Sequence, residues 1–73
     1  RASLKFKREI HGIDSGLQQL FKAMTSELEG PRFDLSLKPV VEDELNQARE
    51  NARTLISKLE HIDQTLTKPR PTL

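Results

Sequence analysis

The sequence predicts an all-α fold, a two-helix antiparallel coiled-coil hairpin with helices at about residues 3–29 and 38–67. Apolar residues recur at spacings of three and four in both halves of the chain, and a Gly-Pro break separates the halves. Hydrophobic residues make up 34% of the chain, with three Phe and neither Tyr nor Trp. Such a composition favours amphipathic helices over sandwiched sheets. A chain of 73 residues has room for one small core.

The predicted first helix carries a seven-residue apolar pattern that slips by one residue at its end. This seam consists of Phe6, Ile10, Ile13, Leu17, Leu20, Met24 and Leu28. Two glycines, Gly12 and Gly16, lie one turn apart within it, and each costs the helix about 1 kcal/mol relative to Ala. Their presence indicates that a segment packs close to this strip: the second helix, a third helical segment or a partner. Glycines without a role are the alternative.

The break between the helices contains signals for one helix end and one helix start. Gly30 is expected in the left-handed conformation just past the first helix, and Pro31 cannot continue that helix. Ser36 is expected to cap the second helix, which places Pro39 in its first turn. Three apolar residues of the break are expected to fold over the open end of the seam: Phe33, Leu35 and Leu37.

The predicted second helix has an unbroken seven-residue pattern. Its seam consists of Val41, Leu45, Ala48, Ala52, Leu55, Leu59, Ile62 and Leu66. An antiparallel register places Leu28 near Val41. The small residues Ala48 and Ala52 then lie opposite the large residues of mid-hairpin, which are Leu17, Leu20 and Phe21. Because small residues facing large ones let helices approach closely, this register favours the hairpin. A parallel dimer of separate helices is the alternative.

We treat residues 1–73 as a single interaction module with a tail at 68–73, where Pro69 and Pro71 end the second helix. The chain opens at Arg1 without a Met, which indicates a fragment of a longer protein. No apolar run approaches the roughly 18–20 residues that a transmembrane helix needs, and nothing resembles a signal peptide. We therefore expect a cytoplasmic location, with recruitment to the membrane periphery left open.

Residues suited to catalysis or metal binding are sparse. Cysteine is absent, and the histidines are His11 and His61, which we interpret as plain surface residues. Zinc would need further ligands, and no glycine-rich phosphate loop or activated serine is recognisable. We expect no catalytic residues, no metal and no cofactor. The sequence therefore indicates a binding function rather than an enzyme.

Charge is nearly balanced overall but is segregated along the predicted hairpin. The formal net charge of +1 does not favour nucleic acid as a partner. The free end is basic, with Arg1, Lys5, Lys7, Arg8, Lys68 and Arg70. The turn end is acidic, with Glu27, Glu29, Asp34, Glu42, Asp43 and Glu44. The basic end is either a surface for an acidic protein or an anionic membrane, or a solvated end near a domain junction.

The run over residues 9–23, EIHGIDSGLQQLFKA, is similar to the first-helix signature of a known family. The matching positions are Ile13, Gly16, Leu20, Lys22 and Ala23. The second half fits the same family through Val41, Glu44, Leu45, Asn51, Leu55, Leu59, Glu60 and Ile62. Over about residues 4–66 the chain resembles the Rho-effector homology region 1 (REM) repeats of protein kinase C-related kinases, rhophilin and fungal protein kinase C.

This resemblance implies an antiparallel finger that binds a GTP-loaded Rho-family small GTPase and thereby recruits or activates its parent protein. Gly16 and Leu20 carry over as fold determinants, and the predicted seam adds Leu17, Ala48, Ala52, Leu55 and Leu59. Exposure and charge suggest partner contacts at Lys5, Arg8, His11, Gln18, Lys22, Arg49 and Arg53. The alternatives are a coiled-coil assembly or tethering segment that pairs with another helical chain, and a basic membrane-surface finger. We expect a monomer or weak self-association.

Overall fold

The computed structural model describes residues 4–68, which form two long helices joined by a short connection. Helix α1 spans Lys7–Leu28 and helix α2 spans Lys38–Thr67, with a single 3-10 turn at Leu35–Leu37 before α2. The helices pack side by side in a rod of 63 × 18 × 10 Å. The all-α hairpin is therefore confirmed. Helix α2 has its predicted bounds of 38–67. Helix α1, predicted over 3–29, begins at Lys7 and ends at Leu28, and Leu4–Phe6 are not helical.

Contacts at both ends show that the helices run antiparallel. At the free end, the backbone N–H of Phe6 donates to Asp63 Oδ1 over 3.0 Å. At the turn end, Leu28 and Leu45 share a buried cluster against which Val41 packs, as the predicted register requires. That cluster also includes Phe21 and is flanked by the other residues of mid-hairpin, Leu17, Ala48 and Ala52. The small residues Ala48 and Ala52 of α2 thus pack against the large residues Leu17 and Phe21 of α1.

The stripe along which the helices meet repeats every eleven residues, not every seven. On α1 the buried and half-buried positions are Ile10, Asp14, Leu17, Phe21, Thr25 and Leu28. From Val41 onward the corresponding positions of α2 are Val41, Leu45, Ala48, Ala52, Ile56, Leu59, Asp63 and Thr67. An eleven-residue repeat corresponds to about 3.67 residues per turn, close to the natural pitch of an α-helix. The helices can therefore stay in contact without the left-handed supercoil of a heptad pattern.

The predicted seven-residue seam is correspondingly wrong over part of each helix. Phe21 and Ile56, which were not assigned to it, are 7% and 8% exposed. Six seam residues instead remain 45–63% exposed: Ile13, Leu20, Met24, Leu55, Ile62 and Leu66. The two patterns diverge because a seven-residue repeat drifts around a helix of natural pitch by about 20° per heptad.

Asp63 closes the free end of the hairpin. It is 1% exposed, and its Oδ1 accepts the N–H of Phe6, the residue that precedes α1. No side chain of α1 itself caps this end, and the first turn contains Lys7 and Arg8, which the helix dipole disfavours there. A carboxylate supplied by α2 therefore satisfies one free N–H at the start of α1 and places negative charge where the dipole favours it.

The connection leaves α1 without a left-handed residue. Gly30 donates its N–H to the Glu27 carbonyl over 3.1 Å, and no glycine among residues 4–68 has a positive φ. The prediction of a left-handed Gly30 is therefore wrong. A Cβ at this position would lie 3.4 Å from the Glu27 oxygen, an ordinary van der Waals contact. The end of α1 tightens through hydrogen bonds between residues three positions apart, from Glu29 to Ser26 and from Gly30 to Glu27.

Asp34, rather than Ser36, organises the entry to α2. Asp34 Oδ1 accepts the Ser36 hydroxyl over 2.8 Å and the Ser36 N–H over 3.0 Å. These two bonds, the hydroxyl first, hold the pKa of Asp34 below its ordinary value of 3.8. The N-cap position of α2 is Leu37, without a side-chain hydrogen bond, so the predicted Ser36 cap is wrong. Pro39 lies in the first turn as predicted.

The apolar residues of the connection differ in their packing. Phe33 is half-buried against the core cluster, as predicted. Leu35 and Leu37 are 69% and 52% exposed, so the expectation that they cover the seam is wrong. The 3-10 turn directs them outward while Phe33 covers the end of the core.

The two glycines of α1 lie on its outer surface. A Cβ added at Gly12 or Gly16 would meet no atom within 4 Å in the hairpin. The expectation that α2 packs close to these glycines is therefore wrong, and an alanine side chain fits at both positions.

We expect Gly12→Ala to raise the free energy of unfolding by about 1 kcal/mol, because alanine loses less backbone entropy in a helix and meets no obstacle here. Urea denaturation followed by circular dichroism measures the change. Gly30→Ala is the matched control, and its gain is expected to be smaller because Gly30 lies outside both helices, where the helix propensity of alanine does not contribute. An equal or larger gain at Gly30 contradicts this view of the two sites.

We expect Asp63→Ala to lower the free energy of unfolding by about 1–3 kcal/mol, because the N–H of Phe6 loses its acceptor and the site is almost fully buried. Asp43→Ala, an exposed aspartate that accepts a hydrogen bond from Gln47 on the same helix, is the control and is expected to change little. Equal effects of the two substitutions would contradict a special role for Asp63.

We expect the contribution of Asp34 to depend on pH. Because its pKa is lowered in the fold, its stabilising effect is fully present above the ordinary value of 3.8 and is lost as the pH falls through the lowered value. Asp34→Ala should therefore melt below the wild-type chain at pH 7, and the gap should close in acid. Thermal melts at both pH values measure it, and a gap that persists unchanged in acid would contradict the assignment.

Candidate functional site

The hairpin has two dissimilar long faces on either side of the buried stripe. One, the polar face, presents Lys7, His11, Gln18, Lys22, Arg49, Arg53 and Glu60. The other, the apolar face, presents Ile13, Leu20, Met24, Leu55, Ile62 and Leu66. Both helices contribute to each face, so each surface exists only once the hairpin has formed.

The antiparallel arrangement brings the residues of each face together from both helices. On each helix the polar set is rotated from the buried stripe in one direction, and the apolar set in the other. In two antiparallel helices, positions rotated in the same direction from the contact stripe lie on the same side of the pair. A cleft lined by Lys7 and His11 of α1 and Glu60 of α2 confirms this placement.

Arg49 anchors the middle of the polar face. Its guanidinium donates to Thr25 Oγ1 across the hairpin and to Asn46 Oδ1 over 3.3 Å. Its Cζ also lies 6.0 Å from the centroid of the Phe21 ring. A shallow depression beside it is lined by Gln18 and Lys22, among others. The arrangement presents a pre-positioned cation next to further polar side chains, a surface suited to an acidic or polar partner.

At the free end, the polar face opens into a small cleft of about 140 Å³. Lys7 and His11 line it opposite Glu60 and the buried Asp63. Asp63 Oδ2 is buried and has no hydrogen-bond partner among the described protein atoms. Sequence reasoning did not single out Asp63. The available signal was the eleven-residue step that leads from Val41 to Ala52 and from Ala52 to Asp63, which places a carboxylate on the contact stripe.

Five of the seven predicted partner contacts lie together on the polar face: His11, Gln18, Lys22, Arg49 and Arg53. The other two lie elsewhere. Lys5 precedes α1, with its Nζ 5.7 Å from the centroid of the Phe6 ring. Arg8 is exposed and points away from α2. The structure therefore narrows the candidate surface to one side of the rod.

The residues predicted to determine the fold divide into three groups. Four lie in the buried stripe: Leu17, Ala48, Ala52 and Leu59. Leu20 and Leu55 lie on the apolar face, 47% and 49% exposed. Gly16 is exposed, with no neighbour close to its missing side chain. Packing of the hairpin therefore depends on only part of the predicted set.

Within residues 4–68, no group of three or more His, Asp or Glu side chains is arranged to hold a metal ion. His11 and His61 are both exposed, on different sides of the hairpin. Over the same range, neither helix combines the length and the apolar character that crossing a membrane requires. Comparison with protein-family models, curated proteins and solved structures finds no match to this chain.

Proposed function

We propose that this hairpin is a non-catalytic protein-interaction module whose polar face binds a Rho-family small GTPase in the GTP state. The observation that carries the proposal is that one side of the rod gathers five of the residues selected for exposure and charge. The partner class comes from the resemblance of residues 9–23 and of the second helix to REM repeats. The two-helix finger is the architecture that this resemblance implies.

The polar face is suited to recognising a folded partner. It lies on two long helices that pack against each other, so its side chains are spaced by regular secondary structure rather than by mobile loops. Arg49 is held by three neighbours, which reduces the conformational entropy that binding would remove. Lys22 and Arg53 flank it with further positive charge. Electrostatic attraction to an acidic partner would raise the association rate and help to fix the orientation.

State dependence would arise in the GTPase rather than in the hairpin. The γ-phosphate of GTP orders the switch segments of a small GTPase, and hydrolysis releases them. A rigid helical face can be complementary to one of these arrangements only. Its binding would then shift the population of its partner in proportion to the difference in affinity between the two states. No chemical step by the hairpin is required.

Isothermal titration calorimetry against Rho-, Rac- and Cdc42-type GTPases, each loaded with a GTP analogue or GDP, tests the proposal. We expect one of them to bind in the GTP-like state and to bind at least tenfold more weakly as the GDP form, a difference of about 1.4 kcal/mol. The absence of state-dependent binding throughout the panel would reject the proposed partner.

Charge reversal tests the proposed surface. We expect Lys22→Glu and Arg53→Glu each to weaken binding of the selected GTPase about tenfold or more. Lys58→Glu makes the same change at an exposed residue away from the polar face and is expected to leave affinity close to that of the wild type. Circular dichroism checks that all three variants remain helical. Weakening by Lys58→Glu alone would place the binding surface elsewhere.

A further inference from the structure

Arg49 is exposed, yet neighbouring groups of the hairpin determine where its guanidinium lies. Its Nη2 donates to Thr25 Oγ1 of α1, and its Nη1 donates to Asn46 Oδ1 over 3.3 Å. Its Cζ lies 6.0 Å from the centroid of the Phe21 ring, close enough for a cation–π contact. These neighbours come from both helices, so the guanidinium takes this position only in the folded hairpin.

The Thr25 hydroxyl is oriented to accept from Arg49. It donates its single hydrogen to the Phe21 carbonyl over 2.8 Å, a bond that Thr commonly makes within a helix. Because that hydrogen is committed to the carbonyl, the hydroxyl oxygen can only accept, and Arg49 Nη2 supplies the donor. Thr25 is also half-buried against the hairpin, unlike the exposed residues around it. Thr25 therefore holds Arg49 in place.

The positive charge of Arg49 is not balanced by the groups that hold it. These groups are a hydroxyl, an amide and an aromatic ring, and within residues 4–68 no carboxylate is among them. Glu29 lines the same depression but does not bond to the guanidinium. A guanidinium has five N–H donors, and the hairpin uses two of them, so three remain. A carboxylate accepts two parallel N–H bonds from a guanidinium.

We propose that Arg49 is the anchor of the polar face, that it pairs with an Asp or Glu side chain of the partner, and that Thr25 positions it. The inference rests on the proposed function for the identity of that partner, and it adds the chemical group that the surface recognises. Lys22 and Arg53 are exposed and make no hydrogen bond within residues 4–68, so they add charge without a fixed direction.

Replacement of arginine by lysine separates geometry from charge. Lysine keeps the positive charge but cannot form two parallel bonds to a carboxylate. With the GTPase that calorimetry selects, we expect Arg49→Lys to weaken binding about tenfold. Arg53→Lys is the matched control and is expected to change affinity by less than about twofold. Equal effects of the two substitutions would mean that the face contributes charge alone, and would overturn the anchor.

Substitutions at Thr25 test its positioning role. Thr25→Val removes the hydroxyl and keeps the branched shape, and we expect it to weaken binding about fivefold, whereas Thr25→Ser should retain wild-type affinity. Thr65→Val is the control, because Thr65 makes the same kind of bond, to the His61 carbonyl over 3.0 Å, but lies away from Arg49. An equal loss of affinity in Thr25→Val and Thr65→Val would overturn the positioning role.

Nitrogen relaxation of the arginine Nε–H groups tests the positioning in the chain alone. We expect the Arg49 group to be more restricted on the picosecond to nanosecond timescale than the Arg53 group. Thr25→Val should remove this difference while circular dichroism shows unchanged helicity. If Arg49 is as mobile as Arg53 in the wild-type chain, Thr25 does not position it, whether or not a GTPase binds.

Double-mutant cycles identify the carboxylate on the partner. Each exposed Asp or Glu in the switch segments of the selected GTPase is changed to Asn or Gln and combined with Arg49→Lys. We expect one carboxylate to couple to Arg49 by about tenfold and to Arg53 by less than about twofold. The absence of coupling at every carboxylate overturns the assigned group. If no GTPase of the panel binds, the proposed function and this partner are rejected together, and the relaxation measurement still decides the role of Thr25.

Discussion

The structure depends on the rotation of the two helices about their own axes. Both carry more apolar residues than one contact stripe can bury, and the period of the stripe decides which are covered. An eleven-residue period matches the natural pitch of the α-helix, so Phe21 and Ile56 enter the contact. Asp63 lies on the same stripe, and its bond to the Phe6 N–H joins the free ends in this rotation. The apolar residues of the competing heptad, such as Leu20 and Leu55, are left on one side.

This rotation also generates the functional surfaces. In an antiparallel pair, side chains displaced in one direction from the stripe share one face. The apolar residues are displaced in one direction and the basic residues Lys22, Arg49 and Arg53 in the other. The apolar face and the proposed GTPase-binding surface therefore lie on opposite sides of the rod. A thin core provides little stability to a chain of this size.

The sequence was informative where local chemistry decides the structure. The Gly-Pro break, the bounds of α2 and the antiparallel register followed from spacing and breakers, and five of seven predicted contacts share a face because helical spacing placed them there. The sequence was less informative where the residues that contact each other are far apart along the chain. Seven- and eleven-residue patterns are both present, and their difference accumulates slowly along a helix. The role of Asp63 depends on an N–H that lies 57 positions away. The roles predicted for Gly30 and Ser36 rested on general capping preferences. In the structure the end of α1 is instead tightened by a Gly30 N–H bond to the Glu27 carbonyl, and the Asp34 carboxylate binds the Ser36 N–H.

The most direct test of the eleven-residue stripe is a nuclear Overhauser map of methyl and aromatic protons, recorded at a concentration where the chain sediments as a monomer. The stripe predicts cross-peaks from the Phe21 ring to the Ala48 and Ala52 methyl groups. The opposite pattern, with Leu20 in contact with Ala48 and the Phe21 ring lacking contacts to α2, would restore the heptad seam. It would also remove the exposed apolar face.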